Sequence, residues 1–153
     1  MKYTDYLLSA KRHNHACKAL KEKIEVLNSS SENSDELKFL VLSLYYLSGY
    51  IIECSLKFKI FEIKGFDKNA EINESECSRF DIDYKKRIKT HNFGKLQEYL
   101  DSLVSDITHT SESTDVNLLL NNWKPDIRYE HLDITYENIK IFYEHTTQFL
   151  KKV

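Results

Sequence analysis

An acid and an amine stand one helical turn apart within a strongly apolar segment. Glu53 and Lys57 occupy positions i and i+4, the spacing at which two side chains of an α-helix can pair. A carboxylate buried in such a segment is costly unless it is paired, hydrogen-bonded or protonated. The pattern indicates a structural polar network around Glu53, and a ligand-binding or catalytic role for Glu53 is the alternative.

Arg128 and His131 form a second candidate pair near the carboxyl-terminal end. Cleavage of RNA through its own 2′-hydroxyl needs an acid or base that titrates near neutral pH and a cation for the charge that develops on the phosphate. A histidine and an arginine supply these groups. The alternative is that Arg128 is a structural partner of Glu53 and that His131 is a solvated loop residue.

A short basic run contains Lys85, Lys86, Arg87 and Lys89. These side chains could contact the phosphates of a nucleic acid or nucleotide, although a charge run in a loop is usually only solvated. His13 and Cys17 have a spacing that suits two metal ligands, but no further ligands complete a site. The chain has no phosphate-binding glycine loop and no zinc-protease or hydrolase motif, so we expect neither a metal nor a cofactor.

The composition favours a helical domain in the cytoplasm. With 153 residues the chain fits one domain spanning 1–153, and its 3 glycines and 1 proline are too few for a turn-rich β-sandwich. Its net charge of −2 gives no strong overall positive field. The 3 cysteines lack paired spacing, which favours reduced thiols. The amino terminus does not resemble a signal peptide.

The periodicity of apolar residues predicts four main helices and one short helix. The longest, from about Asp35 to Lys64, is apolar on nearly its whole circumference and should be the core helix. Its uncharged stretch Phe39–Ile52 is shorter than the ~20 residues that cross a bilayer, so no membrane association is expected. The other predicted helices are Thr4 to about Leu27, Asn92–Ile107, the short Asp115–Trp123, and Asp133–Lys152.

Several boundaries follow from local chemistry. Thr4 or Asp5 should cap the first helix and Ser34 or Asp35 the second, after a polar loop over residues 28–34. Gly65 should end the second helix. Gly49 within it indicates either close approach of another backbone or a tolerated glycine. Residues 66–90 should form a long, partly ordered connection, in which an isolated strand at residues 80–84 is a less favoured alternative. The predicted fold is an all-α, up-and-down bundle.

Three segments in order resemble the HEPN domain family (higher eukaryotes and prokaryotes nucleotide-binding). They are Tyr46-Leu47-Ser48-Gly49-Tyr50-Ile51-Ile52-Glu53-Cys54-Ser55-Leu56-Lys57, Thr90-His91-Asn92-Phe93-Gly94-Lys95-Leu96 and Trp123-Lys124-Pro125-Asp126-Ile127-Arg128-Tyr129. The first is similar to the family's second-helix signature. The second is similar to the threonine and histidine that open its third helix, and the third to the aromatic and Arg-Tyr segment before its last helix.

The resemblance implies a HEPN-like bundle that often dimerises. Many members of the family are metal-independent ribonucleases active in toxin–antitoxin, CRISPR or phage-defence settings, so the resemblance implies this activity as one expectation for the chain. It also implies that His91, Arg128 or Tyr129 could reach Glu53. The family's nuclease motif has an arginine and a histidine separated by four to six residues, whereas Arg128 and His131 enclose only two. Whether the chain is an enzyme therefore stays open.

Three hypotheses remain. The first is a non-catalytic or degenerate module for nucleic-acid or nucleotide-related interaction, which forms a homodimer or docks on a partner protein. The second is a ribonuclease with a variant site at a dimer interface, which uses Arg128 with His131 or His91. The third and weakest, a nucleotide-sensing partner of a nucleotidyltransferase, is suggested by family association alone.

Overall fold

A computed structural model describes residues 1–29 and 34–153, with the backbone only at Ser34. Within these residues the chain is helical and contains no strand, which confirms the all-α fold class. The α-helices are α1 Thr4–Asn28, α2 Ser34–Ile63, α3 Glu74–Arg79, α4 Phe93–Asp101, α5 Thr114–Asn122 and α6 Tyr136–Lys152. A π-helical turn spans Tyr84–Ile88 and a 3₁₀ turn spans Pro125–Tyr129. The loop predicted before α2 falls largely outside the described residues.

Helix α2 is the central element of the core, as its apolar circumference predicts. Leu44, Ile51, Leu56 and Phe61 are fully buried, and α1, α4 and α6 pack around the helix. Contrary to our expectation from its uncharged stretch, α2 is long and apolar enough to cross a bilayer by length and composition alone. Of its most apolar 18-residue window, 61% is buried inside the protein. The core helix of a soluble protein meets the same criteria.

The start of α1 differs from the prediction, because Tyr3 occupies the N-cap position and makes no side-chain cap hydrogen bond. The Tyr3 ring is buried and stacks on Phe58 at 5.6 Å between ring centroids. Asp5 instead accepts a hydrogen bond from the backbone N–H of Lys2 at 2.8 Å. Packing of an aromatic ring therefore replaces the expected polar cap.

The end of α2 follows the prediction. Gly65 has φ +67°, a conformation in which a side chain is strained. Its N–H donates to the Glu62 carbonyl at 3.0 Å, and the N–H of Phe66 donates to the Phe61 carbonyl at 3.1 Å. These bonds satisfy carbonyls that the last turn of a helix leaves free.

Residues 66–90 are more ordered than we predicted. They contain α3 and the π-helical turn, whose first residues are capped by the side chains of Asn73 and Asp83. Phe66, Cys77, Ile82 and Ile88 are buried, and the strand considered at residues 80–84 does not form. The buried residues are too irregularly spaced to show a helical period, although together they anchor the segment to the core.

Three other boundaries shift. Helix α4 ends at Asp101 rather than near Ile107, because the side-chain amide of Gln97 binds the Ile107 carbonyl at 2.7 Å and folds residues 102–107 back along the helix. Helix α5 matches its prediction within a residue at each end and is capped by Ser113. Helix α6 begins at Tyr136, where the Thr135 side chain accepts from the N–H of Asn138.

Candidate functional site

The candidate site is a polar cluster at the middle of α2. Glu53 is buried and accepts from the Lys57 ammonium at 2.7 Å through Oε1. Its Oε2 accepts a hydrogen bond from Nδ1 of His91 at 2.8 Å. Lys57 is also buried, and its ammonium lies 5.7 Å from the centroid of the Tyr6 ring. The carboxylate is thus paired on both oxygens, as its burial requires.

His91 joins this buried pair to the surface. It lies in the short connection between the π-helical turn and α4, and 57% of its side-chain surface is exposed. Since the carboxylate accepts the proton on Nδ1, Nε2 is left as the second site for proton exchange. A histidine oriented in this way can accept or donate a proton, and it can also bind an anion when protonated.

Aromatic rings lie next to the cluster. The Tyr50 ring stacks with the His13 ring at 5.4 Å and lies edge-on to His91 at 6.4 Å. Burial lowers the pKa of His13, and the Glu53 charge opposes this shift. Trp123 also contacts Tyr50, edge-on and with 5.0 Å between the ring centroids.

Gly49 is required by this packing. A Cβ atom at Gly49 would collide with the indole ring of Trp123, so what approaches the glycine is a side chain rather than a second backbone. The indole N–H donates to the Tyr46 carbonyl at 3.2 Å, and the indole ring stacks on Phe93 at 4.8 Å.

Arg128 is connected to the cluster through tyrosines. Its guanidinium donates to the Tyr46 hydroxyl at 2.9 Å, and that hydroxyl lies 3.4 Å from the Tyr50 hydroxyl. The guanidinium also stacks on Tyr129, 4.6 Å from the ring centroid. Arg128 therefore partners Tyr46 rather than Glu53. Tyr129, expected in the Glu53 network, lies outside it and is 73% exposed.

His131 is placed away from these groups. It is exposed and lines a groove against the first turns of α2, with Phe39, Leu42 and Leu132 among its neighbours. Of the two histidines considered as partners of Arg128, His91 is connected to it through Tyr46 and Tyr50.

Ion pairs with carboxylates involve two residues of the basic run. Lys85 pairs with Glu74 at 2.9 Å, and Lys86 lies 3.6 Å from Asp83. The Arg87 guanidinium lies over the Tyr99 ring at 5.7 Å, and Lys89 is exposed.

Sequence reasoning missed His13 as part of this cluster and considered it only as a metal ligand. A usable signal was present, because Tyr6 and His13 stand seven residues apart and share a helix face. Within the described ranges, no group of three or more possible metal ligands occurs. The thiols of Cys17, Cys54 and Cys77 are free and buried.

A buried polar network around His109 was also missed. The His109 backbone N–H and Nδ1 both donate to the side-chain oxygen of Gln97, at 2.9 and 2.8 Å. His145 on α6 donates through Nε2 to the His109 carbonyl at 2.6 Å. These bonds tie the loop before α5 to α4 and α6, so we assign them a structural role.

Comparison of the chain with protein-family models, with curated proteins and with solved structures gives no match in any of the three.

Proposed function

We propose that the chain is a HEPN-like helical domain, with an up-and-down bundle arrangement, that contacts RNA or a nucleotide through the face around His91 and Arg128. The observation that carries this proposal is the convergence of the three segments on which the resemblance rests. His91 binds Glu53, Trp123 packs on Gly49, and Arg128 binds Tyr46. Segments that are distant in the sequence thus build one cluster.

The charge distribution supports contact with phosphate. Within the part of the chain that the structure describes, no carboxylate lies within ion-pair distance of Arg128, and its charge is exposed. The rings of Tyr46 and Tyr129 hold the guanidinium in place. An arginine held in this way can bind a phosphate with little loss of side-chain entropy, and nearby tyrosine rings can stack on unpaired bases.

Binding of a labelled single-stranded RNA, followed by fluorescence anisotropy at two salt concentrations, tests this proposal. Arg128→Ala should weaken binding several-fold and reduce the salt dependence, since one phosphate contact is lost. Lys124→Ala is the matched control, because Lys124 is already paired with Glu130 at 2.6 Å. Equal effects of the two substitutions, or no binding by the wild type, would argue against the proposal.

The hydrogen bond between Glu53 and His91 favours RNA cleavage as a second candidate function. In that reaction Nε2 of His91 would take the proton of a ribose 2′-hydroxyl, whose oxygen attacks the adjacent phosphorus and forms a 2′,3′-cyclic phosphate. The P–O5′ bond breaks and the 5′ oxygen leaves with a proton from water. Arg128 would balance the charge on the phosphate oxygens. No metal takes part in this scheme.

Incubation of the protein with labelled RNA in the presence of a chelator tests cleavage. His91→Ala should abolish product formation and Arg128→Ala should lower it strongly, whereas His131→Ala should leave it unchanged. Products ending in a cyclic phosphate are expected. Cleavage that persists in His91→Ala would exclude this mechanism, and its absence in the wild type would leave RNA binding as the proposed function.

In the cell, we propose that the domain forms a homodimer or docks on a partner protein in the cytoplasm, in a bacterial defence or toxin–antitoxin setting. The support is the resemblance, together with exposed apolar side chains such as Phe39 and Leu118.

A further inference from the structure

We propose that Arg87 and Lys95, with Lys86 at the edge, form a second phosphate-binding site next to His91. The proposed site thus combines two residues of the basic run, Lys86 and Arg87, with Lys95, which lies outside that run. As a site for RNA phosphates it rests on the function proposed above, but as a site for a free phosphate group it does not.

The ion pairs show which basic side chains remain available to bind a phosphate. Lys85 is held by Glu74 and Lys86 is partly balanced by Asp83. Across the described residues, neither Arg87 nor Lys95 has a carboxylate within ion-pair distance, and both are exposed. A phosphate gains most from cations that no protein carboxylate already neutralises.

Arg87 and Lys95 lie around one surface depression. Lys86, Arg87, Lys95 and Glu98 line a surface depression of about 270 Å³, large enough for a phosphate group. The Arg87 guanidinium lies over the Tyr99 ring, whose hydroxyl donates to the Asp81 carbonyl at 3.3 Å. Arg87 is thereby held at the rim. Lys86 is partly balanced by Asp83, so the positive charge of the depression comes from Arg87 and Lys95 against the single lining carboxylate of Glu98.

The depression is next to the His91 cluster along the chain. Arg87 precedes His91 by four residues and Lys95 follows it by four. The hydrogen bond from His91 to Glu53 fixes this segment against α2. A phosphate bound by Arg87 and Lys95 would therefore lie between residues that are four positions from His91 on either side.

Calorimetric titration with pyrophosphate and anisotropy with a short single-stranded RNA distinguish the two sources of phosphate. Arg87→Ala combined with Lys95→Ala should weaken pyrophosphate binding about tenfold or more. It should also lower the slope of log affinity against log salt for RNA by about one or more. Lys85→Ala, which removes a paired lysine, is the matched control and should change neither quantity. Thermal melting of each variant establishes that it is folded.

Each outcome has a defined meaning. Pyrophosphate binding that depends on Arg87 and Lys95 without any RNA binding would support the phosphate site and refute the proposed RNA contact. If RNA binding depends on Arg128, and neither RNA nor pyrophosphate binding depends on Arg87 and Lys95, the site is overturned and the proposed function stays intact. An effect of Lys85→Ala as large as that of the double variant, or no pyrophosphate binding by the wild type, would also overturn it.

Discussion

Glu53 has an environment in which loss of its side chain should strongly destabilise the fold. Its carboxylate neutralises a buried lysine and accepts from His91. Glu53→Ala would leave the Lys57 ammonium buried without a counter-ion, at a cost of about 3–5 kcal/mol in the free energy of unfolding. Urea denaturation at pH 7 measures this loss.

Glu62→Ala is the control for this prediction. Glu62 also pairs with a lysine at 2.7 Å, but its side chain is 43% exposed, so its removal should cost no more than about 1 kcal/mol. Similar losses in the two variants would show that burial of the Glu53 pair has no energetic consequence.

Gly49→Ala is a second substitution for which the structure predicts the direction of the change in stability. In an open helix Gly→Ala stabilises by about 1 kcal/mol, but here the added methyl group would collide with Trp123. Gly49→Ala should therefore destabilise the protein by about 1–3 kcal/mol. Relative to Trp123→Leu alone, adding Gly49→Ala should be neutral or stabilising, because the indole is gone. Thermal melting of the four proteins tests this cycle, and a Gly49→Ala variant more stable than wild type would contradict it.

The site was only partly predictable at the level of single residues. The pairing of Glu53 with Lys57 follows from spacing alone, since four residues separate them on one helix. The contact with His91 spans 38 positions and was available only through the family resemblance. The partnership of Arg128 with Tyr46 was not foreseen, because an arginine can satisfy its charge on a hydroxyl and two aromatic rings as well as on a carboxylate.

Three helices were predicted closely, whereas the end of α4, the start of α6 and the connections were not. Helices α1, α2 and α5 lie within about a residue of their expected ends. The early end of α4 depends on the bonds of Gln97 to residues that follow the helix, which no local pattern shows. The ordering of residues 66–90 likewise depends on tertiary burial of Cys77, Ile82 and Ile88.

The loop before α5 should make stability depend on pH. Burial lowers the pKa of His109 to about 4, and the neighbouring His145 adds to this shift. Between pH 6.5 and 4 the unfolded chain therefore binds a proton that the folded chain does not, so the free energy of unfolding falls as pH falls. The fall between pH 7 and pH 5 should be about 2 kcal/mol from this group.

Urea denaturation of the wild type and of His109→Gln at both pH values isolates this contribution. The variant should be less stable at pH 7, because it changes the hydrogen bonds to Gln97, but it should lose less stability on acidification. A parallel loss in the two proteins would assign the pH dependence to other groups.

At the scale of the whole molecule, the groove around His131 exposes large apolar side chains from α2 and from the segment before α6. Phe39 is 69% exposed and lies on the His131 groove together with Leu132, and Tyr129 is exposed nearby in sequence. If the proposed homodimer forms, a two-fold interface that pairs this surface with its copy would bury these side chains.

Sedimentation velocity over a range of protein concentrations should then show a reversible dimer, and Phe39→Ser should shift the equilibrium towards monomer. Val26→Ser is the control, because Val26 is 66% exposed on α1 and its loss should leave the dimer unchanged. A monomer at every concentration would refute the homodimer, and an equal effect of both substitutions would place the interface elsewhere.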